Sequence, residues 1–205
     1  SDVPSGVEFT RAQTALFAEV AARVETARGP VPLKHLANSG AVLGHPNTWL
    51  DLVRPGIMAY GAYPDPAAER TVPLLPGLEW TSRVTFVKPI RAGETVSYGR
   101  TWTAERDTWI ATVPVGYGDG YSRLLSNRGR MLIGGRSYPI AGRVCMDQTM
   151  LDLGPETDVA VGDEVVLIGR SGDEEITTAE IAELMGTIPY EVTCLITQRV
   201  ARAYA

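Results

Sequence analysis

The sequence predicts an α+β protein, with a partial (β/α) barrel segment followed by a mostly antiparallel, barrel-like β-domain. Residues 1–72 alternate between helical and strand patterns, and their two strand patterns are too few to close a barrel. From residue 77 onward, short runs rich in Val, Ile, Thr and Tyr recur between Gly, Pro and Asp residues. A Pro- and Ala-rich stretch at 62–77 separates the two patterns, so we expect two domains, at 1–72 and 77–205.

The first domain begins with a predicted amphipathic helix from Thr10 to Gly29. Thr10 and Gln13 form a capping-box pattern at its start. The apolar residues at helical spacing are Phe9, Leu16, Phe17, Val20 and Val24. A short strand running into Asn38, a polar loop with a short helix, and a second strand ending at Arg54 follow. In such a βα alternation, polar groups at the C-terminal ends of the strands form sites.

The second domain is predicted to open with one long strand and to continue as closely spaced short ones. The residues that alternate at period two, and so indicate one buried face of the long strand, are Trp80, Ser82, Val84 and Phe86. Later strands are expected over the runs W-I-A-T-V-P-V, R-M-L-I-G-G, S-Y-P-I-A, R-V-C-M, T-M-L-D-L, D-E-V-V-L-I-G and T-C-L-I-T-Q-R-V-A-R-A-Y. One helix interrupts them, from the capping box of Thr177 and Glu180 to Gly186.

Composition and charge narrow the function classes. The 205 residues are 44% hydrophobic and 21% charged, and a net charge of −5 without a basic run argues against nucleic acid or an anionic membrane as partner. No apolar run is long enough to span a bilayer and the first residues show no signal-peptide pattern, so we expect a cytoplasmic protein. Cys145 and Cys194 are far apart, which favours free thiols. His35 and His45 are the only histidines, so we expect no transition metal.

Chemically useful side chains lie at the predicted strand ends. Between Gly93 and Gln148 they are Tyr98, Tyr117, Tyr121, Arg123, Arg143 and Asp147. Such side chains can converge on one cleft, although the tyrosines also fit aromatic packing and the arginines fit solvated salt bridges. In the first domain, Ser39 can donate to a phosphate, but a plain helix N-cap fits the same position. Gly56 leaves its own amide and that of Ile57 open to approach.

The chain also resembles the alanine racemases, a family that depends on pyridoxal phosphate. The matching motifs, in the family's order, are H-L-A-N-S-G-A at 35–41, R-P-G-I-M-A-Y-G at 54–61, V-S-Y-G at 96–99, V-G-Y-G-D-G-Y at 115–121 and G-R-V-C-M-D-Q at 142–148. The resemblance covers essentially the whole chain, but only the back half or so of a family member. It implies interconversion of L- and D-alanine, supply of D-alanine for peptidoglycan, and a homodimer whose sites are completed across the interface.

The resemblance implies a set of cofactor contacts. The residues that match contacts to the cofactor phosphate are Ser39, Gly56, Ile57 and Tyr190. Arg54 matches the residue that faces the pyridine nitrogen, and His35 is expected to orient it. A guanidinium only donates hydrogen bonds, so it would leave that nitrogen unprotonated. The ring is then a weaker electron sink, which disfavours transamination.

The same resemblance implies an acid/base and a substrate channel. Tyr98 matches the tyrosine that works on one face of the α-carbon, opposite the cofactor lysine, and that reaches the active site of the other subunit. A phenol needs a cationic neighbour, or here a chain of contacts leading to Arg54, to act as a base near neutral pH. Tyr117 matches a tyrosine at the mouth of the channel. The remaining matches, to polar residues of the channel and to a pair near the substrate carboxylate, are Arg123, Arg143, Met146 and Asp147.

The chain departs from the family at the cofactor lysine. Its only lysines are Lys34 and Lys88, and neither stands in the family's N-terminal lysine motif, so a Schiff base cannot form in the family's way. We therefore expect a folded, oligomeric fragment that is inactive alone and whose first 70 or so residues are displaced, swapped or covered by another chain. Two alternatives stay open: a broad-specificity racemase of the same fold acting on serine or lysine, and a non-catalytic dimerisation β-domain.

Overall fold

The chain divides into two compact units, residues 1–77 and 78–205, in a computed structural model that describes residues 6–204. The units combine helices with strands that are mostly antiparallel, which confirms the α+β class. Assignment of 1–72 to a cofactor-binding barrel and of 77–205 to a β-domain stays a prediction. No helix within residues 6–204 has both the length and the apolar character needed to cross a membrane.

The first unit is built from two helices and a parallel strand pair. Its elements are α1 (Val7–Arg28), β1 (His35–Asn38), α2 (Ser39–Gly44) and β2 (Leu52–Arg54). Strand β1 pairs with β2 in parallel, with Asn38 opposite Arg54. The Asn38 side chain caps α2 by accepting a hydrogen bond from Ala41 N at 3.0 Å. The two strands therefore end at the same edge, where the residues that follow them can meet.

The predicted start of α1 at Thr10 is wrong, because the helix begins at Val7. Glu8 lies in the first turn, where its negative charge favours the positive end of the helix dipole. Thr10 is instead part of the helix and buried, and its carbonyl accepts a hydrogen bond from Thr14 Oγ1 at 2.8 Å. The helix ends before Gly29, as the sequence predicts.

The second unit contains ten strands and two helices among its described residues. The strands are β3 (Trp80–Arg83), β4 (Phe86–Ile90), β5 (Thr95–Val96), β6 (Trp102–Thr103), β7 (Thr108–Val113), β8 (Arg130–Ile133), β9 (Arg136–Pro139), β10 (Thr149–Gly154), β11 (Glu164–Ser171) and β12 (Glu174–Ile176). The helices are α3 (Thr178–Met185) and α4 (Pro189–Leu195). The antiparallel sheets have the orders β10-β7-β4, β12-β11-β8-β9 with β3 added to β11, and β5-β6. Over residues 78–204 the sheets stay open, without a closed barrel.

The single long strand predicted at the start of this unit is wrong. The chain passes from one sheet to another at Val84 and Thr85, because Val84 N bonds to Asp163 O and Thr85 N bonds to Thr112 O, each at 2.9 Å. Strand β3 therefore pairs with β11, whereas β4 pairs with β7. The switch also turns Phe86 outward, so that 54% of it is exposed.

Two further strand predictions are wrong. Residues 143–146 form no strand, because their backbone groups bond to Ser97 and to residues 117–118 rather than to a ladder. The final run, residues 193–204, is not a strand either: residues 193–195 end α4, whose first turn holds Pro189 with its fixed φ, and residues 196–204 form no strand. Helix α3, by contrast, starts as predicted at Thr177, whose Oγ1 accepts from Glu180 N at 3.1 Å.

The second unit has an apolar core, and Arg130 on β8 forms a network of ion pairs beside it. Leu132, Leu151 and Leu167 are fully buried in it. Arg130 Nε donates to Glu180 Oε1 and Arg130 Nη1 donates to Glu174 Oε2, both at 2.7 Å, and this ties β8 to α3 and β12. The bond to Glu180 is the main cause that raises the pKa of Arg130, so the arginine stays charged in this network.

Candidate functional site

In the first unit, two polar positions meet where β1 and β2 end. Ser39 is buried directly after β1, and its Oγ accepts a hydrogen bond from Gly56 N, just beyond β2, at 3.0 Å. A Cβ added to Gly56 would come no nearer to its surroundings than 4.0 Å, at Ser39 Oγ. The pair therefore leaves the Ser39 hydroxyl proton free to donate, beside a space that a side chain at 56 would fill. Ile57 follows as a buried residue at the start of a short 3-10 turn.

The same edge carries a paired arginine. Arg54 Nη1 lies 2.6 Å from His35 Nδ1, and Arg54 Nη2 donates to Leu36 O at 3.4 Å. Because a guanidinium only donates, His35 Nδ1 is the acceptor, and the neutral imidazole carries its proton on Nε2. Both side chains are exposed, so the arginine stays accessible while its direction is fixed by two contacts.

Neither lysine of the chain is prepared for imine chemistry. Lys34 Nζ lies 2.8 Å from Glu25 Oε1 and 4.0 Å from Asp51 Oδ2. The hydrogen bond that Lys34 donates to Glu25 is the main cause that raises the pKa of Lys34, which favours the ammonium form. Attack on a carbonyl needs the neutral amine, so this pairing works against it. Lys88 is exposed on β4.

In the second unit, Tyr98 and Arg143 lie on adjoining segments. Tyr98 is 75% exposed and opens a 3-10 turn that ends at Arg100, between β5 and β6. A Cβ added to Gly99 would lie 3.3 Å from Arg143 Nε, so the guanidinium packs against the turn beside Tyr98. The backbone of Arg143 is bonded to Ser97 in both directions. The guanidinium therefore lies beside the backbone of Gly99, the residue after Tyr98.

Tyr117 and Met146 are also held on neighbouring segments. Tyr117 N donates to Cys145 O at 2.9 Å, and Gly118 N donates to Met146 O at 2.7 Å. Both side chains are exposed, and Asp147 is exposed next to Met146. These bonds bring the predicted channel tyrosine and the predicted substrate pair to one surface of this unit.

Three predicted residues lie elsewhere in this unit. Arg123 is exposed at the start of a 3-10 turn, and Ser126, at the end of that turn, accepts a hydrogen bond from Val144 N at 3.0 Å. Tyr190 is the second residue of α4 and is half-buried. Tyr121 does not join the surface: it is buried, its ring meets that of Trp80 edge-on at 5.9 Å, and burial raises its pKa. Its phenol therefore stays protonated in the core.

An ion pair that supports this surface was not predicted from the sequence. Asp119 Oδ2 accepts from Gly116 N at 2.9 Å, and Asp119 Oδ1 lies 3.1 Å from Arg199 Nε. Thr197 adds a bond from its amide to Asp119 O at 2.9 Å. The loop that carries Tyr117 is thus tied to the segment after α4. A buried carboxylate inside a Gly-rich turn was the available signal, but its distant partner was not. Across residues 6–204, no three His, Cys, Asp or Glu side chains are grouped to hold a metal ion.

Comparison with known proteins gives one consistent result. The profile "Alanine racemase, C-terminal domain" matches residues 77–204, and "Alanine racemase, N-terminal domain" matches residues 1–64. The alanine racemase of Cutibacterium acnes is 57% identical over 202 residues, which cover 98% of this chain and 54% of that protein. The alanine racemase of Halothermothrix orenii is 46% identical over 196 residues, covering 96% of this chain and 52% of that protein.

Solved structures agree. The alanine racemase of Bacillus anthracis with bound L-Ala-P has a TM-score of 0.91 at 35% identity, covering 97% of this chain and 51% of that one. The alanine racemase of Streptomyces coelicolor A3(2) has a TM-score of 0.89 at 38% identity, covering 95% and 51%. The chain thus spans about half the length of the curated relatives it matches. On these matches, the chain belongs to the alanine racemase family.

Proposed function

We propose that this chain supplies part of the active site of a pyridoxal phosphate-dependent alanine racemase, which interconverts L- and D-alanine and provides D-alanine for peptidoglycan. The observation that carries the proposal is the meeting of Ser39, Gly56 and the His35–Arg54 pair at one strand edge. Polar groups at the C-terminal ends of parallel strands are the usual place for such a site.

The residues at this edge fit the cofactor. The Ser39 hydroxyl, whose oxygen accepts from Gly56 N, keeps its own proton to donate beside an open space, which suits a phosphate. Ile57 extends this backbone, and Tyr190 is proposed as a further phosphate contact. Arg54 can donate to the pyridine nitrogen without ever protonating it. When bound, the cofactor supplies an electron sink that makes the α-proton of alanine acidic.

Within this chain, the acid/base work is assigned to Tyr98. Its exposed phenol is set to give or take the α-proton on one face of the substrate. We assign Met146 and Asp147 to the substrate carboxylate. Tyr117, Arg123 and Arg143 are assigned to the channel through which alanine enters.

The acid/base on the opposite face is proposed to be a lysine outside these 205 residues. Lys34 is held as an ammonium by Glu25, and Lys88 lies on a strand of the other unit, so neither is offered for this role. We propose that the chain alone is inactive and that the intact enzyme is a homodimer, in which Tyr98 reaches the site of the other subunit. Cys145 and Cys194 are free thiols, which agrees with a reducing, cytoplasmic compartment.

Solvent deuterium exchange tests this assignment. The chain is combined with a lysine-bearing family polypeptide, and deuterium incorporation into L- and D-alanine is followed separately. Tyr98→Phe is expected to abolish incorporation from one enantiomer and to spare the other, because the two groups work on opposite faces. Tyr138→Phe, which changes a buried tyrosine on β9, serves as the control. Equal loss from both enantiomers, or faster racemisation of serine or lysine than of alanine, contradicts the proposal.

A further inference from the structure

The turn that carries Tyr98 has a strained backbone. Ser97 has φ 67° and ψ 171°, a region that is essentially restricted to glycine. Gly99 and Arg100 also have positive φ, at 73° and 51°. Such conformations persist only where the surroundings over-determine them, and they concentrate at functional positions. The flanking hairpin of β5 and β6 has two residues in each strand, too few to impose this strain by itself.

The start of the turn is fixed by the Ser97 hydroxyl. Ser97 Oγ donates to Arg143 O at 2.8 Å and accepts from Arg143 N at 2.9 Å. Gly142, the residue before Arg143, has φ 87°, and a Cβ there would lie 2.6 Å from Ser97 Cβ. Both the hydroxyl at 97 and the missing side chain at 142 are therefore needed for this close approach.

The end of the turn is fixed by Asn127. Its Nδ2 donates to Thr101 O at 3.3 Å, and its Oδ1 accepts from Gly142 N at 2.7 Å. The backbone amide of Asn127 also donates to Gly142 O at 3.1 Å. One side chain therefore ties the residue after the turn to the same segment that holds Ser97.

We propose that Ser97 and Asn127 are positioning residues that hold the strained turn at both ends and so fix the direction of the Tyr98 phenol. This inference rests on the proposed function, in which Tyr98 is the acid/base. Glycine at 97 would remove the strain, but it would also remove both bonds to Arg143. The strained turn carries Tyr98 with 75% of its surface exposed.

Amide hydrogen exchange on the full 205-residue chain tests whether Ser97 and Asn127 hold the turn. Ser97→Ala and Asn127→Ala are expected to speed exchange across residues 98–101 about tenfold, with the rest of the second unit unchanged. Ser97→Gly folds without strain and is expected to show the same local increase, so a folding failure of the other variants does not remove the test. Ser171→Ala, which loses a serine bond to Gly135 N at 2.9 Å in another turn, is the control. Exchange at 98–101 within twofold of the parent chain overturns the proposal.

Enantiomer-specific exchange separates positioning from structural support. In the assembly with a lysine-bearing polypeptide, Ser97→Ala is expected to lower kcat for the Tyr98 face by about tenfold and to leave KM within threefold. Adding Ser97→Ala to Tyr98→Phe is expected to cause no further loss. Equal slowing of both faces overturns the positioning role. An inactive parent assembly would contradict the proposed function instead. The amide exchange of the chain would still show whether Ser97 and Asn127 hold the turn.

Discussion

The guanidinium of Arg54 donates to Nδ1 of His35 across 2.6 Å, from the strand paired with that of the histidine. His35→Leu removes this acceptor and leaves Arg54 with its longer contact to Leu36 O. We expect the Arg54 side-chain NMR signals to average, while the free energy of unfolding changes by less than about 1 kcal/mol because the pair is exposed.

Two control variants accompany that measurement. His35→Asn keeps an acceptor and should retain separate Arg54 signals. His45→Leu changes the other histidine and should leave Arg54 unaffected. If the Arg54 signals stay fixed in His35→Leu, the imidazole does not orient the guanidinium.

The Glu25–Lys34 pair predicts how the first unit responds to pH. Lys34 lowers the pKa of Glu25 below 4.5, so this stabilisation is present above the unfolded-state pKa and is lost as pH falls through the folded-state pKa. Glu25 raises the pKa of Lys34 above 10.5, so the alkaline loss occurs as pH rises through that raised value. Glu25→Gln should flatten both the acid and the alkaline change in the protection of α1 amides when their exchange is measured against pH. Glu19→Gln, from an exposed pair 3.9 Å long, should flatten neither, and an unchanged profile in Glu25→Gln would refute the pairing.

The Asp119–Arg199 pair should stabilise the loop of Tyr117. Asp119→Ala leaves the Gly116 amide and the Arg199 guanidinium without their carboxylate, and we expect a loss of about 1–3 kcal/mol in urea unfolding. The matched control is Arg136→Ala, which breaks an exposed pair of similar length, 3.2 Å, and should cost less than about 0.5 kcal/mol. Equal losses in the two variants would show that burial of Asp119 carries no weight.

Close backbone approach at Gly116 gives a sharper stability test. A Cβ there would lie 2.1 Å from Cys145 O, so Gly116→Ala should destabilise the second unit by about 3 kcal/mol. Gly154→Ala is the control, since its φ of 89° is unfavourable but its surroundings are empty within 4 Å. That variant should cost about 1 kcal/mol. Thermal unfolding that ranks the two the other way would contradict the packing of the Tyr117 loop on residues 145–146.

Local patterns predicted those elements that are stabilised locally. Helix α3 starts at the Thr177 capping box, and β2 ends at Arg54, as their sequences indicate. The errors arise where distant residues decide. The chain switches sheets at Val84 because Asp163 is opposite, and nothing near Val84 in the sequence reports this.

In the candidate site, too, local features were predictable and contacts between distant residues were not. Ser39 and Gly56 were predictable, because each follows a strand and parallel strands share an edge. The contacts of Ser97 that support the turn of Tyr98 were not predictable, since Ser97 bonds to a residue 46 positions away. The strain at Ser97 lies in its backbone angles, which the residue type does not indicate. The partner of Asp119 was hidden for the same reason of distance.

The most direct test of the central claim is the racemisation of alanine by this chain with and without a lysine-bearing family polypeptide, followed by borohydride reduction and mass spectrometry. The account predicts D-alanine formation from L-alanine only in the mixture, with the pyridoxyl adduct on the added polypeptide. Racemase activity of this chain alone, or a pyridoxyl adduct on Lys34 or Lys88, would contradict it.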